Sequence, residues 1–382
     1  MFRIASYNVQ NLFARPKAFD GTDWTIGEPI LAAYREVNEL FQETNYSAAD
    51  LIRMRDLLVT LDIYSRNNHG AIRRKRTSNP RWAWLRKNRG RFDRQPRDTT
   101  QNVDIVATGR SDWIGWVELS KEPTNEISTR LTARVIADIN AEVIAVVEAE
   151  DRPSLVRFNR EMLNNQYDHV MLIDGNDERG IDVGLMAQTG FPIERIRSNV
   201  DREDDVGEIF SRDCPQYEVQ TGNGDVIHVL VNHFKSQSGG GGDKRLRQAT
   251  AVRNIADELT NDGHHVVVLG DLNEGPPNES QHVLNFEPLY ESSSPLIDCY
   301  SLQGFDPGPR PGTFNSCGIR NRLDYIFISE SLENAFHAGG IWRMGLWGTR
   351  ITRPDNWVTY QDMTRSDEQA SDHAAVFIDL DL

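Results

Sequence analysis

The sequence contains few cysteines, and this scarcity limits how the fold can be held together. Its 382 residues include three, Cys214, Cys299 and Cys317. An odd number at wide spacings fits neither a disulfide framework nor a zinc motif. Reduced thiols are the rule in the cytoplasm, so we expect a cytoplasmic protein.

Long apolar runs and phosphate-binding glycine motifs are also missing from the sequence. No stretch approaches the roughly 20 apolar residues that a membrane helix needs. The opening residues, MFRIASYNVQNLF, predict a strand rather than a secretory signal. No Gly-rich P-loop is present, which disfavours nucleotide-driven phosphoryl transfer. We therefore expect a protein without stable membrane insertion.

Negative charge exceeds positive charge, but the positive charge is unevenly distributed. The net charge of −15 alone disfavours a polyanionic partner. Residues 66–97, however, contain twelve basic residues and one acid, which leaves 30 basic and 56 acidic residues elsewhere, a net of −26. The twelve are Arg66, Arg73, Arg74, Lys75, Arg76, Arg81, Arg86, Lys87, Arg89, Arg91, Arg94 and Arg97. The sequence thus predicts an acidic body that carries a basic segment.

Apolar periodicity predicts an α/β protein in which strands alternate with helices. The predicted strands cover 2–9, 142–148, 168–173, 181–187, 265–270, 323–329 and 374–380, with a hairpin at 216–233. The predicted helices cover 127–139, 153–165 and 243–261, and a further helix begins at Ser47. Residues 14–46 and the stretch up to about 125 show no clear pattern. These features favour a single domain over 1–382 with a large, partly basic insertion at about 14–125.

Polar side chains collect at the ends of the predicted strands, where an α/β scaffold can bring distant residues together. They are Asn8, Glu148, His233, Asp271, Asn273, Asp324, Asp372 and His373. The carboxylates among them are the ligands that Mg²⁺ or Mn²⁺ prefers, and the imidazoles can move protons near neutral pH. Together these groups indicate phosphodiester hydrolysis. Singly, each has a structural explanation, such as a turn for Asn8 or a helix cap for Asp372.

The segments around these residues resemble the endonuclease/exonuclease/phosphatase superfamily. The similar segments are SYNVQN, VVEAED, VNHFKS, LGDLNE, RLDYIFIS and SDHAAV, and the resemblance covers residues 1–13 and roughly 130–382. It implies two mixed β-sheets packed as a sandwich with helices on the outer faces, in four layers. It also implies hydrolysis that depends on Mg²⁺ or Mn²⁺.

The resemblance implies a metal site built from acidic side chains. Glu148 would be the principal metal ligand, held near Asn8, and Asp372 would be a further carboxylate on the metal side. Gln10 stands where some members of the superfamily have an acid, so we expect one ion and leave the second open.

The resemblance also implies catalytic roles for the remaining residues. Asp271 would orient or deprotonate the attacking water, and Asn273 would bind the scissile phosphate. His373 would contact the phosphate, with Asp324 fixing its tautomer and raising its pKa. His233 would stabilise or protonate the leaving side.

One acid departs from the superfamily's usual pattern. Asp182 lies inside a predicted strand where an apolar residue is usual. The sequence favours a local ion pair with Arg179 and leaves open that Asp182 faces the site.

The basic segment is the best clue to the substrate, because a fold alone does not decide it. Its cations alternate with aromatic residues in RWAWLRKNRGRF, and cations on phosphates with aromatics on bases are the two elements of single-strand binding. Trp82 and Trp84, two residues apart, would share one face of an extended chain. We therefore predict a nuclease acting on DNA or RNA. The predicted substrate contacts are Arg74, Arg76, Trp82, Trp84, Arg86, Lys87 and, beside the catalytic motif, Lys235.

Two other functions fit the same residues. The first is a phosphatase or phospholipase acting on an anionic headgroup, although the basic segment lacks the amphipathic stripe of a membrane-surface helix. The second is a pseudoenzyme that binds nucleic acid without cleaving it. A basic loop that is merely solvated would account for the cations alone.

Overall fold

The computed structural model describes residues 1–19, 24–177, 180–237, 241–276, 285–348 and 357–382, without the side chains at positions 15, 19 and 24–26. The described chain forms two compact units. The body consists of Met1–Phe13 and Thr124–Leu382, and the inserted unit is Ala14–Pro123. Among the described residues, the structure contains no helix with the length and apolar character to cross a membrane.

The strands and helices are numbered in chain order. The strands are β1 (Phe2–Asn8), β2 (Ala14–Pro16), β3 (Tyr64–Arg66), β4 (Ile72–Arg74), β5 (Ala83–Arg89), β6 (Asp93–Arg94), β7 (Asp104–Ile105), β8 (Ile114–Leu119), β9 (Lys121–Pro123), β10 (Val143–Ala149), β11 (His169–Ile173), β12 (Asp182–Ala187), β13 (Ile193–Arg197), β14 (Glu203–Asp204), β15 (Gly207–Glu208), β16 (Gln216–Gln220), β17 (Val226–His233), β18 (His265–Asp271), β19 (Leu296–Asp298), β20 (Phe305–Asp306), β21 (Asp324–Ser329), β22 (Phe336–Trp342) and β23 (Ala375–Leu380). The α-helices are α1 (Trp24–Phe41), α2 (Ala48–Thr60), α3 (Glu126–Ile139), α4 (Arg152–Met162) and α5 (Gly242–Asn261). Short 3₁₀ helices cover Lys17–Phe19, Glu287–Leu289, Cys299–Ser301, Ile319–Asn321, Glu330–Ala335 and Ser366–Glu368.

Two mixed sheets form the body, as the sequence predicts. One has the order β11-β12-β10-β1-β23-β22-β20, and the other has the order β13-β16-β17-β18-β21-β19. Inward-facing aliphatic side chains of both sheets share one buried core, with Ile4 and Val147 from the first sheet and Val229 and Leu269 from the second. Helices α3 and α4 pack on the outside of the first sheet, and α5 packs on the outside of the second. The four-layer sandwich is therefore confirmed.

Strand direction explains why the polar residues meet. In the first sheet, β1 is parallel to β10 and antiparallel to β23, so Asn8 and Glu148 lie at the edge where β23 begins. In the second sheet, β17 is parallel to β18 and antiparallel pairing joins β18 to β21, so His233, Asp271 and Asp324 share an edge.

A glycine allows the strands to approach closely beside this edge. Gly270, the penultimate residue of β18, has a φ of +131°, and a Cβ there would lie 1.9 Å from the carbonyl oxygen of Asn232. Because glycine alone tolerates this backbone and this contact, the position next to Asp271 requires it.

The inserted unit has a hydrophobic core of its own. Helices α1 and α2 and the two-stranded sheets β3–β4 and β5–β8 contribute to it, and Phe41, Phe92 and Trp113 pack at its centre with ring centroids 4.6–5.1 Å apart. Helix α2 begins after Ser47, whose hydroxyl accepts from the N–H of Asp50 while the Asp50 carboxylate accepts in return. The stretch without a clear sequence pattern thus folds as a compact unit.

Candidate active site

Asp271 lies at the centre of a polar cluster at the edge of the two sheets. Its side chain is 2% exposed. Its Oδ2 lies 3.2 Å from Asn8 Nδ2, 3.7 Å from His233 Nε2 and 3.8 Å from His373 Nε2. Its Oδ1 accepts a 2.9 Å hydrogen bond from the backbone N–H of Asn273. Residues from both sheets thus converge on one carboxylate.

Electrostatics make this carboxylate able to exchange a proton near neutral pH. Burial raises the pKa of Asp271, the charge on His373 lowers it, and the carboxylates of Asp324 and Glu148 raise it, so that the pKa is about 7. A carboxyl with such a pKa can act as a general base at neutral pH.

His373 forms a close pair with Asp324. The Nδ1 of His373 lies 2.8 Å from Asp324 Oδ2, and both side chains are buried. Burial alone lowers the pKa of His373, but the charges of Asp324 and Asp271 and the hydrogen bond to Asp324 outweigh it and raise the pKa well above its ordinary value. The ring of Phe314 packs 4.8 Å from the imidazole. The pair therefore presents a fixed imidazolium whose Nε2 faces Asp271.

Glu148 occupies an irregular position in β10. Its φ is +66°, which is unusual for a residue with a side chain, and the register of β10 with β12 shifts between Val147 and Ala149. Its Oε1 lies 3.5 Å from His233 Nε2. The bulge thus directs this carboxylate toward His233, a direction that differs from the one a regular strand would give it.

Two groups of potential metal ligands share Asp271. One is Glu148, His233 and Asp271, and the other is Asp271, Asp324 and His373; in each group the ligand atoms lie within 4.8 Å of one another. Carboxylate oxygens with an imidazole nitrogen form a donor set suited to a divalent cation. The residues present therefore fit the metal that the superfamily implies.

The amides of the predicted site are held by neighbouring backbone. Asn8 is buried, and its Oδ1 accepts from the N–H of Gln10 at 3.1 Å. Asn273 has a φ of +53° and donates from Nδ2 to the carbonyl of Phe234 at 3.2 Å. Both amides thus lie beside Asp271 in fixed orientations.

Asp372 lies next to this cluster without its carboxylate entering either of the two ligand groups found among the described residues. Its backbone N–H donates to Gln10 Oε1 at 3.1 Å, and its carbonyl accepts from Asn315. Its charge contributes to the raised pKa of His373. Lys235 follows β17, where its N–H donates to Gln248 and its carbonyl accepts from Arg245.

Arg212 contacts the site and is not found by sequence reasoning. Its side chain is 2% exposed, its Nε donates to His233 Nδ1 at 3.2 Å, and its Nη2 lies 2.8 Å from His233 Nε2. It also pairs with Asp177 at 3.6 Å. Arg212 lies between β15 and β16 in FSRDCPQ, with no strand-end or helical pattern to single it out. Arg212 therefore holds the imidazole of His233 in place through contacts to both of its ring nitrogens.

Asp182 accepts a hydrogen bond from the backbone. Its Oδ1 accepts from the backbone N–H of Gly175 at 2.7 Å, and burial raises its pKa to about 7. The predicted partner, Arg179, lies outside the described residues.

The predicted substrate cations divide into paired and unpaired residues. Arg74 pairs with Asp93 at 3.0 Å, and Arg86 pairs with Glu118 at 2.7 Å. Arg76 and Lys87 are exposed and have no ion pair with any residue that the structure describes. The basic segment is therefore part of a folded unit that neutralises some of its own charge.

The two predicted tryptophans have different surroundings. Trp82 packs, half-buried, against the core of the inserted unit, with Arg81 stacked 4.4 Å from its ring. Trp84 lies within β5, with Arg86 stacked 4.9 Å from its ring. Trp82 thus contributes to packing of the inserted unit, whereas the sequence predicts that it shares a binding face with Trp84.

Comparison with known families shows the class of protein. The model of the Endonuclease/Exonuclease/phosphatase family matches residues 90–337. The chain belongs to this family, whose members are hydrolases that depend on divalent metals.

Several solved structures resemble the chain. The mannosyl-6-phosphatase of Bacteroides thetaiotaomicron is 16% identical, with 67% of this chain and 92% of that chain covered and a TM-score of 0.50. Truncated TDP2 of Caenorhabditis elegans is 16% identical, with 67% and 91% covered and a TM-score of 0.47. The human Nocturnin catalytic domain is 16% identical, with 67% and 86% covered and a TM-score of 0.47. No curated protein matches the sequence. At 16% identity, the likeness to the mannosyl-6-phosphatase shows the fold alone.

Proposed function

We propose that this protein is a Mg²⁺- or Mn²⁺-dependent phosphodiesterase that cleaves nucleic acid. The observation that supports it most is the convergence of Asn8, His233 and His373 on Asp271 Oδ2, within 3.2–3.8 Å. A base, two imidazoles and an amide around one point can serve an in-line displacement at phosphorus.

The metal would be held on the side of Glu148. Glu148 would be the principal ligand, with the Asn8 amide oxygen and the neighbouring carboxylate of Asp372 completing its surroundings. When bound, a divalent cation supplies stabilisation of the negative charge that develops on the phosphoryl oxygens.

The protein's own side chains would do the remaining work. Asp271 takes a proton from the attacking water at its Oδ2. His373, held cationic by Asp324, donates from Nε2 to a non-bridging phosphoryl oxygen, and the Asn273 amide donates to another. His233, oriented by Arg212, contacts the oxygen of the leaving group. These groups are positioned before the substrate arrives, which is the main source of electrostatic catalysis.

Charge distribution supports nucleic acid as the substrate. The inserted unit has 19 basic and 15 acidic residues, a net of +4, whereas the body has a net of −19. A polyanion would be repelled by the body and attracted by the inserted unit. The chain leaves the body at Phe13 and returns at Thr124, whose N–H donates to the Phe13 carbonyl at 2.9 Å. The inserted unit is thus tethered to the body at both of its ends. Because of this tether, a strand bound to the inserted unit would have a raised effective concentration at the body.

The decisive experiment compares substrates on the purified protein. Plasmid DNA, single-stranded DNA, RNA, phosphomonoesters such as mannose 6-phosphate, and anionic lipid headgroups would be incubated with Mg²⁺, Mn²⁺ or EDTA. We expect cleavage of nucleic acid with metal and none with EDTA, and loss of cleavage in Glu148→Gln at limiting metal. Hydrolysis of phosphomonoesters or headgroups without nucleic-acid cleavage would refute the proposal, as would binding of nucleic acid without any hydrolysis.

A further inference from the structure

The outward face of the β5–β8 sheet in the inserted unit has a composition that the core does not explain. The register opposes Trp84 to Glu118 and Arg86 to Trp116. Side chains alternate along a strand, and the intervening Val117 and Leu119 are buried in the core. The opposed pairs therefore all lie on the solvent side of the sheet.

Two tryptophans lie on this face. Trp116 is 44% exposed, more than any other phenylalanine, tyrosine or tryptophan side chain that the structure describes. Trp84 is partly exposed and lies diagonally across the strand pair from Trp116, a spacing of about 7–8 Å between Cα atoms. Exposed aromatic surface of this kind commonly marks an interaction site.

Cations surround the two rings. Arg86 lies 4.9 Å from the Trp84 ring, and Arg89 faces outward opposite Ile114 beyond a one-residue bulge. Lys87 is exposed on the same strand. Glu118 is the acid of this face, and it pairs with Arg86 at 2.7 Å. The outward face therefore combines two π surfaces with the guanidinium groups of Arg86 and Arg89.

We propose that the outward face of β5–β8 is a stacking platform for single-stranded nucleic acid, with Trp84 and Trp116 each receiving a base and the cations of β5 following the phosphates. The proposal rests on the proposed function and narrows its substrate class. Every base has a π face, so such a platform does not depend on sequence. A duplex keeps its bases paired and stacked and offers mainly its phosphates, so the tryptophans select unpaired strands.

Binding of a fluorescent single strand to the full-length protein in EDTA tests the platform without cleavage. Loss of one stacked base weakens binding by about 5- to 150-fold, or roughly 1–3 kcal/mol. We expect a loss of this size for Trp84→Leu or Trp116→Leu, and near wild-type binding for the Phe variants, which keep a π face. Ile52→Ala, an exposed apolar position of α2 in the same unit, is the matched control and should bind normally.

A second variant keeps the test independent of any folding defect caused by the tryptophan changes. Glu118→Gln removes the acid from the face and releases Arg86, so affinity for the single strand should increase several-fold. Normal single-strand binding by both Leu variants would overturn the platform, as would equal losses on duplex and single strand. The platform would also be overturned if Glu118→Gln bound an acidic protein or an anionic vesicle more tightly than the wild type does but bound the single strand no more tightly.

Failure of the platform can be distinguished from failure of the proposed function. Hydrolysis of bis(p-nitrophenyl) phosphate, which is too small to span two rings, reports on the catalytic residues alone. Tryptophan-dependent binding with no hydrolysis of this diester would leave the platform standing and refute the phosphodiesterase. Hydrolysis of the diester together with binding that does not depend on the tryptophans would support the phosphodiesterase and refute the platform.

Discussion

At the scale of single residues, the pairing of Asp324 with His373 gives the sharpest prediction. The two buried side chains are 2.8 Å apart, and the charge of Asp324 stabilises an imidazolium. Asp324→Asn keeps the shape and removes that charge. We expect kcat to fall roughly tenfold to a thousandfold, the range of a positioned electrostatic group, while the affinity for single-stranded nucleic acid in EDTA stays unchanged. Unchanged kcat would mean that Asp324 has only a structural role.

Asp182 gives a prediction about stability and pH. Burial raises the pKa of this carboxyl from 3.8 to about 7. Because the folded-state pKa lies above the unfolded value, the folded protein binds this proton more tightly, and stability falls as pH rises from about 4 to about 7. A difference of one in pKa between the folded and unfolded states corresponds to about 1.4 kcal/mol. The free energy of unfolding that is lost above pH 7 therefore has an upper limit of about 4 kcal/mol.

Asp182→Asn lacks this titration and can still accept the N–H of Gly175. The variant should therefore gain stability over the wild type above about pH 7 and little below about pH 4, as measured by thermal unfolding across pH. Asp225→Asn, at an exposed turn position, is the control and should show no such trend. A difference in stability between Asp182→Asn and the wild type that does not depend on pH would refute the raised pKa of Asp182.

At the scale of elements, the bulge in β10 stores strain at a proposed metal ligand. Glu148 has a φ of +66°, and its carboxylate lies near Asp271. A left-handed conformation costs a residue with a side chain on the order of 1 kcal/mol or more, and glycine does not incur that cost. We expect Glu148→Gly to abolish hydrolysis while it unfolds at the same or a higher temperature than the wild type in EDTA. A clear loss of thermal stability would show that the side chain supports the fold.

The elements of the body are largely predictable because their patterns are simple. The predicted strands and helices agree with the structure to within three residues at each end. Apolar runs such as VVVLG and VIAVV belong to strands that are buried on both faces, and such strands have few alternative conformations.

The unpredicted elements have local sequences that contradict their structure. Helix α1 contains Gly27 and Pro29, which interrupt a helical pattern. Strand β22 contains Gly339 and Gly340; a Cβ on Gly339 would lie 2.6 Å from the Phe305 ring, so packing demands a residue with low strand propensity. In the same way, Arg212 reaches His233 through tertiary packing, which no local spacing reveals.

At the scale of the whole molecule, the proposed nucleic-acid substrate gives the unequal distribution of charge a testable role. The cations of the basic segment differ in how far they are neutralised within the unit. Arg74, Lys75 and Arg94 pair with nearby carboxylates at 2.7–3.0 Å. Arg76, Lys87 and Arg97 are exposed and lack an ion pair within the part of the chain that the structure describes. The second set is therefore better able to bind phosphates.

Two triple variants that each remove three charges test this difference. Replacing the unpaired cations Arg76, Lys87 and Arg97 by Gln should raise KM for long single strands and lower the salt dependence of log KM by about 0.7 per lost phosphate contact. Replacing the paired cations Arg74, Lys75 and Arg94 by Gln should have a smaller effect, because each is already partly neutralised and its carboxylate is released by the change. Hydrolysis of bis(p-nitrophenyl) phosphate should be unaltered in both. Equal effects of the two sets on long substrates would mean that only net charge matters, and a loss on the small diester would point to a folding role for the inserted unit.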